Sequence, residues 1–326
     1  MISSEKIDIP IVSIVCDVYN HGPYLRQCLE GFMMQQTSFQ FEVLIHDDAS
    51  TDDSAEVIRE YEKKYPHVIK PIYQSENQYS QGISIWQTYQ FSRAQGKYIA
   101  LCEGDDYWTD PLKLQKQVDF LEAHPDYGMC YTRARYFLQT SGRYQSDFGR
   151  DVKSFEELIV NNTIPTLTTI FRKELQQQYQ KEIEPQKRSW KLGDWPLWLY
   201  IAHESKLHFM DETTAVYRVL DNSASHSLSI EKRIAFLDSC YATGHFFAEK
   251  YSPTSLVRLD ECSVASKFEE ACLHKSRKYQ QQYYRIAVEL NRLHPTVKLR
   301  LLVTLGRIPA LYCWAINAFR SIRKLN

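Results

Sequence analysis

Gly96-Lys97-Tyr98-Ile99-Ala100-Leu101-Cys102-Glu103-Gly104-Asp105-Asp106-Tyr107-Trp108 reads as a buried strand that runs straight into charge. Tyr98 to Leu101 is apolar, and three carboxylates follow within the four residues 103–106. Neighbouring ionised carboxylates repel one another and lose hydration near a core, so a cluster in this place calls for a divalent cation or for a ligand with donors to match. Upstream, the apolar run from Phe41 to Ile45 leads to a second acidic pair, Asp47-Asp48. Two acidic strand ends in the first third of the chain point to one metal and nucleotide site.

Outward from these two ends, residues 11–135 alternate short apolar runs with longer amphipathic ones. Strands are expected at 11–18, 41–45, 68–73, 98–102 and 129–132. Between them, Val57, Ile58, Tyr61 and Tyr65 share one face of a helix over 51–65 behind a Ser50/Thr51 start signal, and Leu114, Val118 and Leu121 repeat that spacing after Pro111. Such alternation implies an α/β fold with a mostly parallel sheet covered by helices on both faces. In such sheets ligands bind beyond the carboxyl ends of the strands, where both acidic clusters lie. Neither GxGxxG nor GxxxxGK[ST] occurs, which argues against a dinucleotide-binding site or a P-loop; a nucleotide diphosphate would instead be neutralised by a metal. Further on, a strand is expected at 167–171, helices at 173–179 and 197–203, and an extended stretch at 207–219. From Ile230 the pattern is helical throughout, so the expected division is a catalytic domain over 1–229 and a helical C-terminal region over 230–326.

The 326 residues, 44% hydrophobic and 13% aromatic, suffice for one large core or for a core with an appendage. A formal net charge of −1 gives no general attraction for nucleic acid, which is excluded as a partner. Eight scattered cysteines without a CxxC pair read as reduced thiols of a cytoplasmic protein. The polar N-terminus and the lack of an apolar run of about 18 residues point to a chain that is soluble or only peripherally attached to membrane.

By their order and spacing, these elements resemble the inverting, GT-A-fold family 2 glycosyltransferases. The resemblance rests on Pro10-Ile11-Val12-Ser13-Ile14-Val15 running into Tyr19-Asn20, on Val43 to Asp52 with its His46-Asp47-Asp48-Ala49-Ser50-Thr51 centre, and on Gly96 to Asp106. Gly193-Asp194-Trp195-Pro196-Leu197-Trp198 and Val216-Tyr217-Arg218 with Asn222 and Ser223 complete it. It implies a GT-A, Rossmann-like fold, a nucleotide-sugar donor (usually a UDP-sugar), Mn2+ or Mg2+ as cofactor, and a saccharide or lipid-linked glycan acceptor in cell-surface polysaccharide synthesis. It places Asp17 and Tyr19 at the base and ribose, and Asp48 at the base. Asp105 and Asp106 resemble the DXD motif, the first near the ribose and the second on the metal. By the same resemblance Asp194 is the general base and His226 completes the metal shell.

Each residue also has an ordinary reading. Asp105-Asp106 suits a turn before the Pro111 helix, Asp194 suits a helix cap, and Asp47-Asp48 suits an Asx-turn. Arg218 can meet a phosphate or a carboxylate, and Trp108, Trp195 and Trp198 can stack on sugars or fill core. The last thirty residues carry Lys298, Arg300, Arg307, Arg320, Arg323 and Lys324 with no acid around an apolar run from Ile308 to Phe319. Such a segment either lies on an anionic membrane, at the cytoplasmic face of the inner membrane, or docks as a helix on the protein. Two other functions share the acidic site: a sugar-phosphate nucleotidyltransferase, which lacks here its Gly-rich basic loop after the first strand, and a non-catalytic nucleotide-sugar or glycan-binding module.

Overall fold

In Val12–Val18 every residue but Asp17 is buried, as expected of a strand covered on both faces. The structure, a computed structural model, describes residues 9–220 and 229–323. The strands are β1 (Val12–Val18), β2 (Phe41–Asp47), β3 (Ile69–Tyr73), β4 (Tyr98–Leu101), β5 (Tyr107–Trp108), β6 (Tyr127–Leu138), β7 (Arg143–Phe148), β8 (Ile170–Arg172) and β9 (Lys206–Val219). The helices are α1 (Gly22–Met33), α2 (Ser54–Lys64), α3 (Lys113–Ala123), α4 (Phe155–Val160), α5 (Lys173–Ile183), α6 (Trp195–Glu204), α7 (Ile230–Tyr251), α8 (Leu256–Leu273), α9 (Arg277–Leu293), α10 (Val297–Leu305) and α11 (Pro309–Arg323). The described chain divides into two compact units, one of residues 9–155, 162–188 and 193–220, the other of 156–161, 189–192 and 229–323.

The first unit holds one sheet in the order β3-β2-β1-β4-β8-β6-β9-β5, with β7 paired to β6. The first four strands are parallel, as their alternation with helices requires. Beyond them β8 runs antiparallel to both β4 and β6, and β5 antiparallel to β9, while β6 and β9 are parallel. This second half is where the sequence pattern was least regular, and β7 gave no apolar signal because four of its six residues are exposed.

Side chains alternate across a strand, and β1 uses both faces. Val12, Ile14, Cys16 and Val18 pack with Leu25, Leu29 and Phe32 of α1, Val57 and Ile58 of α2, and Leu114, Val118 and Leu121 of α3. The opposite face carries Ser13, Val15 and Asp17, and is covered by the segment 86–93 and, through Phe171, by α6. Gln90 Nε2 there donates to the carbonyls of Cys16 and Leu44 at 3.4 and 3.0 Å, and Phe171 lies 6.4 Å from Phe91 and 5.4 Å from Trp198 between ring centres. Gly96 lets β4 begin against β1: a Cβ there would fall 2.5 Å from Ser13 N.

The second unit is helical. Ile234, Val264, Phe268, Tyr283, Ala287, Leu302 and Tyr312 form its core. Here α10 and α11 bury Leu299, Leu302 and Tyr312, while Leu301, Ile308, Leu311 and Trp314 stay exposed. Among the described residues no helix is long and apolar enough to cross a membrane.

Candidate active site

The strand ends meet at one edge because the loops behind β1 and β2 are laced together. Asn20, in the left-handed region at φ 55°, donates its N–H to Ser50 Oγ at 2.9 Å, and its side-chain oxygen accepts from Thr51 N at 2.8 Å. His21 N donates to Ser54 Oγ and Gly22 N to Asp52 Oδ2, each at 2.9 Å. Behind β4, the Glu103 carbonyl accepts from the buried thiols of Cys28 and Cys102 at 3.5 and 3.7 Å. Gly104 fits beneath this turn because a Cβ would press on Val18 and His21 at 2.9 and 3.0 Å.

Three acidic side chains of the 103–106 turn then take different environments. Asp106 is buried, and its Oδ1 accepts the Arg218 N–H at 2.7 Å. Burial first, and then Asp105, holds its carboxyl well above the usual range. Asp105 buries an oxygen, Oδ1, that has no partner. Glu103 is reached by solvent, yet enclosure by protein is the main influence on its carboxyl, followed by Asp105, Asp17 and Asp194, and pushes it up to about 8. Of these three, Asp105 lies two residues away, Asp17 lies at the end of the neighbouring strand β1, and Asp194 opens α6.

Asp17 ends β1 on the face toward residues 86–93. Burial raises its carboxyl to about 7 against the bond from Gln90, whose Nε2 lies 3.2 Å from Oδ1; nearby Asp48 raises it further. Tyr19, two residues on, is 46% exposed. Asp48 is buried, and its two oxygens accept the backbone N–H groups of Gln78 and Tyr79 at 2.7 and 3.0 Å, so it fixes the 77–81 turn in the way a cap does. His46 Nε2 lies 3.7 Å from it, and burial lowers the His46 pKa despite that neighbour. Asp47 Oδ1 accepts the N–H of Ser50, three residues on, at 3.4 Å.

Asp194 is both cap and open carboxylate. Oδ1 accepts from Trp195 N at 2.7 Å, and Oδ2 accepts from Thr166 Oγ1 at 2.6 Å. Each oxygen therefore retains acceptor capacity, since a carboxylate offers about four lone-pair sites. His226, Asn222 and Ser223 lie outside the described residues.

Among the described residues, the Arg218 guanidinium bonds to neutral acceptors. It donates to the Asp105 carbonyl, Gln139 Oε1 and Gln27 Oε1 at 2.7, 2.7 and 2.8 Å, and lies over the Tyr24 and Tyr107 rings. Trp108, Trp195 and Trp198 are buried core residues, with Trp108 Nε1 donating to the Leu167 carbonyl. Sequence reading missed Thr166 and Gln90, which hold Asp194 and Asp17 in place; the π-helical turn Trp86–Gln90 carries no periodic signal by which to find Gln90.

Among the described residues no three His, Cys, Asp or Glu side chains gather closely enough to hold a metal by themselves. The unpartnered Asp105 Oδ1 and the enclosed Glu103 are nonetheless hard oxygen donors in need of positive charge. That donor set fits Mg2+ or Mn2+ of the kind held by one or two carboxylates plus substrate phosphates.

With this geometry in hand, similarity to known proteins can be placed. The family described as Glycosyl transferase family 2 matches residues 13–183, and the chain belongs to it. An uncharacterised protein of Mycobacterium tuberculosis is 36% identical over 229 residues, 68% of this chain and 62% of that protein. This chain thus spans less than two thirds of that relative's length. TuaG of Bacillus subtilis, named for teichuronic acid biosynthesis, is 27% identical over 66% of this chain and 82% of its own. Among solved structures, residues 1–349 of S. aureus TarS with UDP-GlcNAc superpose with a TM-score of 0.61 at 16% identity, covering 95% of this chain and 91% of that one. A Pyrobaculum calidifontis mannosyltransferase with GDP-Man and Mn2+ gives a TM-score of 0.52 at 15% identity, covering 93% and 86%. The fold of the first unit is accordingly GT-A, a mixed α/β sheet, and the chain adds C-terminal helices to it.

Proposed function

We propose that the protein is an inverting, metal-dependent glycosyltransferase that moves a sugar from a nucleotide diphosphate donor, a UDP-sugar in first place, to a hydroxyl of a saccharide or lipid-linked glycan. One observation carries the reading: the acidic turn 103–106 follows β4 beside the end of β1, where Gly104 N donates to the Asp17 carbonyl at 3.0 Å, and Asp105 Oδ1 is buried there without a partner. The names of TuaG and the UDP-GlcNAc of TarS support a cell-surface polysaccharide and a UDP donor.

In this reading Asp17 and Tyr19 meet the base and ribose, with Asp48 fixing the 77–81 turn beside them. Glu103 and Asp105 would hold Mn2+ or Mg2+, whose positive charge stabilises the departing diphosphate. Sequence reasoning puts the metal on Asp106 and His226; Asp106 Oδ1 accepts from Arg218 N while Asp105 Oδ1 is buried without a partner, so Asp105 joins Asp106 as a candidate donor. Asp194, oriented by Thr166, accepts the proton of the acceptor hydroxyl as that oxygen attacks C1 from the side opposite the diphosphate. Residues 1–229 act as the catalytic domain in the cytoplasm. The 230–326 region brings the protein to an anionic membrane through the exposed Lys298, Arg300 and Arg307 and the exposed apolar side chains of α10 and α11.

A thermal-shift screen of UDP, GDP and CMP sugars with and without Mn2+ tests the proposal, because a ligand stabilises the state it binds. Stabilisation by a nucleotide sugar that depends on the metal is the expected result. No shift with any of them, at concentrations far above ordinary donor affinities, would refute it.

A further inference from the structure

Trp86 opens the π-helical turn Trp86–Gln90, and π-helical turns concentrate at functional sites. Unlike Trp108 and Trp198 it is only half-buried. Three neighbours surround its side chain. It lies beside the Asp17 carboxylate, which Gln90 at the other end of the turn holds by a hydrogen bond. Its ring centre lies 6.2 Å from that of Phe91. Its Cε3 and Cζ3 atoms come within 3.4 and 3.5 Å of where a Cβ on Gly193 would stand. Gly193 immediately precedes Asp194, so one indole spans the distance from the end of β1 to the start of α6.

In an inverting transfer the group between the nucleotide and the general base is the sugar that moves. We propose that Trp86 is the sugar-contacting wall of the site, its ring packing against the transferred sugar and setting which donor sugars reach Asp194 in register. This rests on the glycosyltransferase reading given above. A ring already set against Phe91 and Gly193, on a turn that Gln90 ties to Asp17, loses little freedom on binding, so its contact with the C–H face of a pyranose is preorganised. The absence of a side chain at Gly193 leaves the ring edge beside it uncovered.

The test compares UDP with UDP-N-acetylglucosamine on the full chain in Mn2+, by calorimetric titration and by kcat and KM for donor hydrolysis, in Trp86→Phe, Trp86→Leu and Trp86→Ala. UDP affinity should stay within about twofold of wild type in all three. For Trp86→Leu and Trp86→Ala, UDP-N-acetylglucosamine should lose about tenfold in affinity and more in kcat/KM, while Trp86→Phe, which keeps a flat ring, should keep most of both. Trp86→Leu preserves apolar volume and stands in if the alanine variant does not fold. Equal losses for UDP and UDP-N-acetylglucosamine would overturn the proposal by showing that Trp86 only supports Asp17. Unchanged donor affinity and hydrolysis in Trp86→Leu would overturn it as well. A wild type that binds neither ligand would sink the UDP-sugar reading itself, and the role of Trp86 with it.

Discussion

Asp194 and Asp105 carry the two halves of the proposed chemistry, and the structure separates their effects. Asp194 is tied to the start of α6 and to Thr166, away from the Asp106–Arg218 bond that anchors the acidic turn. Asp194→Ala should therefore lower transfer by about 10²–10⁴-fold while leaving UDP affinity nearly unchanged. Asp105→Ala should lose metal-dependent UDP binding as well as turnover. Titration of UDP into both variants, with and without Mn2+, checks this, and equal loss of affinity in the two would contradict the assigned roles. Asp17 carries a pH signature. Its folded carboxyl keeps a proton up to about pH 7, while the unfolded one releases it near 3.8. The folded state thus binds the extra proton, and this contribution is full in acid and lost as pH rises through 7. Between about pH 6 and 8 wild type should lose about 1 kcal/mol more than Asp17→Asn, after allowance for solvent at this half-buried group. Chemical denaturation of both proteins at the two pH values reads the difference.

The element that completes the site is β9. Pairing of Tyr107 with Val216 and of Trp108 with Ala215 brings Arg218 beside the acidic turn, where its backbone holds Asp106 and its side chain three further acceptors. Arg218→Ala should cost about 3 kcal/mol of stability, because it removes three charge-assisted hydrogen bonds to part-buried acceptors. Arg218→Lys should recover little of this, since one ammonium cannot reproduce the planar fork. Denaturation midpoints with UDP and Mn2+ present and absent would show whether site occupancy falls along with stability; full stability in Arg218→Ala would refute the clamp. The sequence located β9 as an extended stretch but left Arg218 between phosphate and carboxylate, because a strand's partners across 112 residues leave no trace in local spacing. Trp198, at helix spacing in the expected 197–203 helix, already reads as core, whereas no strand is expected at Trp108, and only packing places its ring in the core.

At the scale of the molecule, the helical unit presents exposed Leu301, Ile308, Leu311 and Trp314 together with Lys298, Arg300 and Arg307. Deleting this segment would open the core around Leu299, Leu302 and Tyr312, so charge reversal is the cleaner probe. Lys298→Glu, Arg300→Glu and Arg307→Glu combined should weaken partitioning onto phosphatidylserine vesicles by about a hundredfold or more, from roughly 1 kcal/mol per basic residue. Equal partitioning of variant and wild type would end the membrane proposal. The sequence by itself determined the parallel half of the sheet and the places where carboxylates leave it, because strand and helix periods and the cost of clustered charge are local properties of the chain. It also determined the family, through motifs whose order survives without coordinates. Only the tertiary structure decided which oxygens remain open: Asp106 is claimed by a backbone N–H from β9, Asp48 by two from the 77–81 turn, and Asp105 by none. Hydrogen-bond satisfaction depends on what the fold brings within 3 Å or so, and that is a property of packing between distant segments rather than of any stretch read alone.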